Sequence, residues 1–559
     1  MKILLVQPPI HDFYRTSIRT QPIGLAYLAS SLQLAGYEVE ILDCQTKKKR
    51  PIPIPPELSY LQDFYPFNDL SPFKLYTGYY HFGMDWDEIR QRVMDSKADV
   101  FGISSSFTPY HHEALHVARI IKEWDAGKIT IMGGSHPSCD PEEVLKSPFV
   151  DYVIMGEGEM RLPFLLNEIA KGRIKGIEEM NGIGYRTDGR VKVNALKTFI
   201  QDLDSLPRPA RELLGPDQYR IRRKRSTMII TSRGCPHGCA YCSSHLVMGS
   251  SFRKRAPEAI LKEMIDCYKC HGITAFDVED DNFTFDQART KQLMEFIIDT
   301  FGEGFLDLYA MNGISFASLN GEILKLMKRA GFRTIGLSYV STDISFKERM
   351  GRPSSAFDFD RLFREAEEIG FQVTAYAIFG IPGQTIPEMV DTLIYLMGKR
   401  VLIGPSIYYP VPGTPLFEKC KMDNILPSHP SQWRSSAIPI ETDEFKRPDL
   451  VTLLRLARLI NFIKGKMDSE ELEEGVSWKG LRQIVKEKKG STAWMDLVLR
   501  VLEERSFFSL RKNSDGVPSL VKEVTSQAVM ENFFEKAWER SILECRGKPS
   551  VRPYHYGGE

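Results

Sequence analysis

Short apolar runs bounded by proline or glycine alternate with stretches in which apolar residues recur every three or four positions, and this alternation occurs twice along the chain. The run at 2–6 precedes Pro8-Pro9; from Gly24, the residues Leu25, Leu28, Ala29 and Leu32 share one helical face that ends at Gly36. Apolar runs at 39–43, 99–104, 128–133 and 152–156 follow, with helical periodicity near 110–124, 141–146 and from Glu159. Strands alternating with helices predict an α/β domain over residues 1–172, a doubly wound, Rossmann-like parallel sheet that binds ligands beyond the carboxyl ends of its strands. Those ends read Gln7-Pro8-Pro9, Ser104-Ser105-Ser106, Gly133-Gly134-Ser135-His136 and Gly156-Glu157-Gly158-Glu159. Small residues there let backbone approach a large ligand, and serines offer hydrogen bonds.

Residues 45–95 interrupt this domain with proline- and aromatic-rich sequence, including Tyr60, Tyr65, Phe73, Tyr76 and Tyr79. So aromatic a segment does not read as disordered; it reads as a packed surface excursion or as a substrate lid. Residues 173–226 read as a linker, with a Thr187-Asp188-Gly189-Arg190 turn and a basic run ending at Arg225 that suits solvent. A second series over 227–420 has strands near 227–231, 273–278, 306–310, 333–337, 373–379 and 403–409. Its clearest helix places Leu319, Ile323, Leu326, Met327 and Ala330 on one face. One β-α period throughout predicts a partial (β/α)6 barrel. The period is lost after Pro412-Gly413, and 421–559 reads as a charged, helical C-terminal region.

Composition narrows the function classes. The 559 residues predict about three or four domains. Lys+Arg and Asp+Glu balance at 73 each, which argues against a nucleic-acid partner or an anionic membrane. The opening MKILLVQPPI reads as a first strand rather than a signal peptide, and no stretch of about 18 apolar residues predicts a membrane span. Nine cysteines are few, and Cys235, Cys239 and Cys242 cluster tightly, which points to metal chemistry in the reducing cytoplasm.

The run Ser232-Arg233-Gly234-Cys235-Pro236-His237-Gly238-Cys239-Ala240-Tyr241-Cys242 directly follows the first barrel strand, where such barrels build their sites. Three thiolates can hold three irons of a [4Fe–4S] cube and leave the fourth open, and Gly234 and Gly238 let a short loop wrap it. The rival is a structural zinc site completed by His237 or His245. Cys267 and Cys270 share a helical face and read as two half-buried thiols rather than a second cluster. Cys44, Cys139, Cys420 and Cys545 read as structural.

A C-x3-C-x2-C loop with an aromatic before its last cysteine resembles the radical S-adenosylmethionine (SAM) superfamily. The likeness continues through Arg253–Pro257, Glu279–Phe283, Gly380–Gly383 and Pro412–Pro415. It implies that SAM binds the open iron through its amino and carboxylate groups. Tyr241 would border the adenine, Glu279, Asp280 and Asp281 the amino group, and Gly380, Ile381, Pro382 and Gly383 the adenine from another strand. Where relatives end a strand with a ribose-binding glutamate, this chain has Ser338-Tyr339-Val340-Ser341, and Asn312 is a substitute candidate.

Residues 1–172 resemble the cobalamin-binding domain of the B12-dependent radical SAM family. The resemblance implies a corrin site formed by Pro9, Ser104, Ser105, Ser106, Gly133, Gly134, Ser135, Gly156, Glu157 and Gly158. The D-x-H-x-x-G pattern that supplies a histidine to cobalt elsewhere is missing, so His136 reads as a polar loop residue capping its strand. Both modules together imply methylation of an unactivated carbon of a small-molecule or lipid substrate, with electrons from a donor such as flavodoxin or ferredoxin. Two other readings stand beside it: cyclisation or rearrangement without methyl transfer, and a non-catalytic cobalamin or iron–sulfur sensor. No residue is singled out as catalytic.

Overall fold

Apolar residues on both faces of a strand require helices on both sides, and the first strand shows this directly. In β1 (Lys2–Gln7), Ile3 and Leu5 pack with Leu25, Ala29 and Leu32, while Leu4 and Val6 pack with Ile103, Val117 and Ile121. The structure, a computed structural model, describes residues 1–14, 21–45, 48–352, 356–512 and 516–544; Cys545 lies outside them. The first sheet continues through β2 (Glu38–Asp43), β3 (Val100–Ser104), β4 (Ile129–Gly133) and β5 (Tyr152–Ile154). These five strands run parallel.

The segment expected to be a linker differs. Its Thr187–Arg190 turn joins β6 (Ile183–Thr187) to β7 (Arg190–Asn194), an antiparallel hairpin that extends the sheet to seven strands in the order β7-β6-β5-β4-β3-β1-β2. Its basic end is solvated as expected: Arg220 and Arg225 both reach Asp217.

The second series forms β8 (Lys224–Ile229), β9 (Ala275–Val278), β10 (Asp307–Tyr309), β11 (Thr334–Val340), β12 (Gln372–Phe379) and β13 (Leu402–Ile407). β8-β9-β10 and β11-β12-β13 are parallel triplets joined by the single bridges Leu308–Phe332 and Ile314–Leu337. The barrel is therefore open, and an open barrel has edge strands to protect. On β13 the Asn461 side chain does this, accepting from Ile403 N (3.0 Å) and donating to Ile403 O (2.8 Å). Asn461 belongs to the long Arg447–Asp468 helix of the C-terminal region.

The aromatic insertion joins the N-terminal domain to that region. Leu58, Leu61, Tyr65, Phe73, Leu75 and Tyr79 are buried in the core shared by the barrel and the C-terminal helices. Tyr60 and Tyr65 donate to the carbonyls of Ala437 (2.6 Å) and Ser436 (2.7 Å), Arg455 donates to Phe64 O (3.0 Å), and Leu70 N pairs with Leu510 O (2.8 Å). It is a packed strap rather than a flap. Among the described residues no helix is long and apolar enough to cross a membrane.

Phe73 is 2% exposed and meets Phe507 edge-on. Phe73→Ala should cost about 3–5 kcal/mol of stability, as large-to-small changes at buried aromatics do. Chemical denaturation monitored by circular dichroism measures it; a loss near zero would mean that the strap is peripheral to the core.

Candidate active site

The cysteine loop leaves β8 through the two-residue strand Ser232–Arg233, which pairs antiparallel with Arg253–Lys254. Gly234 takes a φ of +82°, and a Cβ there would stand 2.3 Å from Ser251 O, so only glycine fits this turn. Two consecutive acids brace the loop. Asp280 is 3% exposed and accepts from Thr231 N (2.7 Å), the Thr231 hydroxyl and Ser232 Oγ (2.6 Å). Asp281 accepts from Gly234 N (3.0 Å) before the loop and Ser244 Oγ (2.6 Å) after it. Their carboxylates hold protein, which departs from the expected contact with the SAM amino group.

Within the loop Ala240 N pairs with Met350 O (2.9 Å) and the Cys239 thiol lies 3.7 Å from Gly351 O. Asn282 Nδ2 lies 3.9 Å from Cys235 Sγ. Burial raises the Cys235 thiol, and pushes Cys242 up to about 11, with the neighbouring thiols adding to both. Bound iron would reverse this, since a thiolate is the ligand form. Beside the thiols, the Tyr241 hydroxyl and Asn282 Oδ1 are buried without partners, as expected of groups awaiting a ligand. Among the described residues no three His, Cys, Asp or Glu side chains converge on a single-ion site.

Across the barrel mouth, Asp277 on β9 and Glu279, one residue past its end, point to the same side by alternation. Burial, augmented by the charge of Asp277, pushes Glu279 up to about 8, and burial pushes Asp277 up to about 6. Asp277 accepts from Met311 N (3.1 Å), and Asn312 donates to Glu279 (2.5 Å). Asn312 is thus tied to Glu279. Two carboxyls sharing a site favour a cationic ligand, which would restore both charges. The sequence motif singled out Glu279 and not Asp277, although their two-residue spacing is visible in it. β11 ends in a bulge between Ser338 and Val340, and Val340 has φ +69°, a strained conformation for a β-branched residue. The bulge leaves Ser338 O to accept from Arg352 (3.0 Å). Of the second candidate loop, Gly380, Ile381 and Pro382 are buried and Gly383 is exposed; a Cβ on Gly380 would meet Leu450 at 2.8 Å.

At the carboxyl edge of the first sheet lies a cavity of about 350 Å³. Pro9, Ser104, Ser105, Ser106 and Ser135 line it from the N-terminal domain, and Ser243, Tyr409 and Ser435 from the other side. Its charged lining pair, Asp12 and Arg434, is self-compensating at 3.4 Å. His136 sits within the short Ser135–Cys139 helix and is 2% exposed, not a polar loop residue. Burial lowers its pKa to about 4; Nδ1 meets Thr108 Oγ1 (3.1 Å), while Nε2 is buried without a partner. A neutral rim of hydroxyls with an unpaired ring nitrogen suits a ligand edged with amides.

The glycines expected at the corrin do other work. A Cβ on Gly134 would stand 2.6 Å from Ser105 O and one on Gly158 2.8 Å from Leu28, while Gly133 would meet Ile154 O at 3.5 Å and Gly156 would meet Leu196 at 2.8 Å. At Gly134, Gly156 and Gly158 the chain itself comes close enough to require a small residue, while Gly133 has ordinary room. Glu157 is also reassigned. Its carboxylate accepts from Arg233 (2.9 Å), Arg253 (2.7 Å) and Ile200 N (2.7 Å), while Arg233 also donates to Glu159 (2.6 Å). Acids at the end of β5 thereby grip the residue one position before Gly234. Cys139 of the first domain and Ser243, the neighbour of Cys242, line the same cavity where the two regions meet.

Two outcomes follow. Glu157→Gln leaves buried arginines undercompensated and should destabilise the protein by about 3–5 kcal/mol, read by urea unfolding; unchanged stability would refute the junction's role. For Glu279, the folded pKa exceeds the usual 4.5, so the folded state holds the extra proton and stability is lost as pH rises from about 4.5 through about 8. Cluster-free Glu279→Gln should therefore melt above the parent at pH 8.5, with the difference vanishing near pH 4.5.

The B12 binding domain family matches residues 77–166, and the Radical SAM superfamily matches 229–396. An uncharacterized methyltransferase of Pyrococcus horikoshii is 27% identical over 487 residues, covering 85% of this chain and 95% of that protein. The anaerobic magnesium-protoporphyrin IX monomethyl ester cyclase of Rubrivivax gelatinosus is 24% identical, covering 75% of this chain and 70% of that one. The fold resembles the radical SAM methyltransferase TsrM of Kitasatospora setae, solved with cobalamin and a [4Fe–4S] cluster, at a TM-score of 0.58 and 19% identity over 78% of this chain and 84% of that one. The chain thus carries a B12-binding domain followed by a radical SAM domain, the pair of modules of the B12-dependent radical SAM family that it resembles.

Proposed function

We propose that the protein methylates an unactivated carbon of a small-molecule or lipid substrate held between its two domains. The observation that carries this reading is the shared cavity: Ser104–Ser106 and Ser135 of one domain face it together with Ser243, the neighbour of Cys242. When bound, the cluster supplies one electron to cleave SAM and cobalamin supplies a transferable methyl group. Cys235, Cys239 and Cys242 would hold the cluster, and Pro9, Ser104, Ser105, Ser106 and Ser135 would meet the corrin edge. Glu279 and Asp277 would take the ammonium of SAM, with Asn312 fixing the Glu279 carboxylate. Tyr241, its hydroxyl buried and unpartnered, would border the adenine, and Gly383, the exposed residue of its loop, would approach from β12.

Radical chemistry requires a reaction space shielded from water, and a cavity walled by both domains suits that requirement. A methyltransferase among the relatives supports methyl transfer, and the cyclase keeps rearrangement without methyl transfer as a second reading. Every described cysteine is a free thiol, which fits a reducing cytoplasm. A one-electron donor such as flavodoxin or ferredoxin completes the system.

Anaerobic reconstitution with iron, sulfide and cobalamin should give about four irons per chain and, with SAM and reductant, 5′-deoxyadenosine. Cys235→Ala, Cys239→Ala and Cys242→Ala should each lose both. S-adenosylhomocysteine formed alongside means methyl transfer; 5′-deoxyadenosine alone means rearrangement. A cysteine variant that keeps its iron and its SAM cleavage would refute the cluster assignment.

A further inference from the structure

The two faces of β12 differ in burial. Val373, Ala375, Ala377 and Phe379 are buried in the core that the barrel shares with its helices, so the alternate residues face the lumen. The largest of these is Tyr376, and it is 37% exposed. In register, Tyr376 stands between Ser338 of β11 and Gly404 of β13. A Cβ on Gly404 would lie 2.6 Å from Cδ1 of the ring, and one on Gly336 of β11 would lie 2.7 Å from Cε2, on the opposite edge. A Cβ on Gly313 would approach Cδ2 at 3.6 Å. Opposite edges of one ring therefore overlie two different strands. The ring lies flat across the sheet, with one face on a bed of glycines and the other turned to the lumen.

Glycine within a strand weakens it, and it recurs where something must approach the backbone closely. Here the approaching group is the Tyr376 ring, so the glycines fix how that ring is presented. What surrounds the ring points to a ligand independently. Gly313 follows Asn312, which donates to Glu279, and the preceding Met311 is exposed and gives its N–H to Asp277. Toward the cysteine loop, Asn282 is buried and its Oδ1 has no partner. An aromatic face left open in a lumen with such groups suits a flat conjugated ring, which gains both by stacking and by leaving water.

We propose that Tyr376 is the stacking platform of the reaction space, a specificity-determining residue that carries a flat conjugated ring of the bound molecule. Such a ring comes either from the adenine of SAM or from the methyl acceptor. The inference rests on the radical SAM reading and adds to it the residue against which a ring is laid.

Titration calorimetry on anaerobically reconstituted parent, Tyr376→Phe, Tyr376→Leu and Gly404→Ala proteins separates the two sources. One arm titrates S-adenosylhomocysteine; the other titrates indole, as a flat-ring probe, into protein saturated with S-adenosylhomocysteine and cobalamin. Tyr376→Leu removes the ring and Gly404→Ala displaces it, and each should weaken at least one of the two ligands by ~5-fold or more. Tyr376→Phe keeps the ring and should stay within ~2-fold of the parent. A loss for S-adenosylhomocysteine assigns the platform to adenine, and a loss for indole assigns it to the acceptor. Parent-like affinity of Tyr376→Leu for both ligands would overturn the proposal. Equal losses in Tyr376→Phe and Tyr376→Leu would also overturn it, because the hydroxyl and not the ring would then be the binding group. A parent that binds S-adenosylhomocysteine but does not cleave SAM would count against the radical reading alone, since both titrations are read without turnover.

Discussion

Everything at the centre of this protein hangs on a buried set of charges. Glu157 and Glu159 end the last parallel strand of one domain; Arg233 and Arg253 begin and flank the cysteine loop of the other, and all four are nearly inaccessible to water. Such groups are costly to bury unless each meets its counterpart with good geometry. That cost is what makes the junction specific: a displaced domain would strand two arginines and two carboxylates together. Arg233 precedes Gly234 directly, so the fit between the domains is transmitted to the cysteine loop through one residue. These charges act beside apolar contacts, since Ile23, Ala26 and Tyr27 of the first domain pack with Leu214 and Tyr219 and against Met228 and Ile230.

The same logic repeats at smaller scale. Asp280 and Asp281 tie the loop's approach and exit to the end of β9. Glu279 is then left as the acid of that run facing the barrel mouth, with Asp277 behind it. One strand end thus divides its labour: two carboxylates hold the loop in place, and one is protonated more readily because of burial and its buried neighbour. The open barrel fits this arrangement, since its free edge is closed by Asn461 without filling the mouth.

The alternation of apolar runs and helical faces was enough to read both α/β series, because that pattern is local and the sheets are covered on both faces. The cysteine loop was legible for the same reason: its chemistry lies within consecutive residues. The β6–β7 hairpin was read as linker because its exposed strand β7 carries a polar sequence with little periodicity. Long-range pairing lay beyond reach. Glu157 looked like a small-residue loop acid until Arg233 and Arg253 stood beside it, and Gly134 and Gly158 looked like room for a ligand when they are room for Ser105 and Leu28. A glycine at a strand end states that something comes close, without stating whether it is cofactor or chain.

The aromatic strap shows how that ambiguity resolves physically. An aromatic-rich insertion starting at the ligand edge of a sheet has the composition of a lid and the composition of a core. Connectivity alone does not separate them, because both begin at the same place. Hydrogen bonding does: Tyr60 and Tyr65 donate to the 436–437 backbone, and Arg455 and Arg458 of the Arg447–Asp468 helix donate back to Phe64, Lys74 and Leu75. A lid that opened would have to break these buried bonds in both directions, each leaving a desolvated group unpaired. The residues Arg434 and Ser435, which line the cavity, sit on the segment the strap secures. By fixing 434–437 the strap shapes the far wall of the cavity, which only its first residue, Gln45, lines directly, and the aromatics act on that wall through the C-terminal region they immobilise.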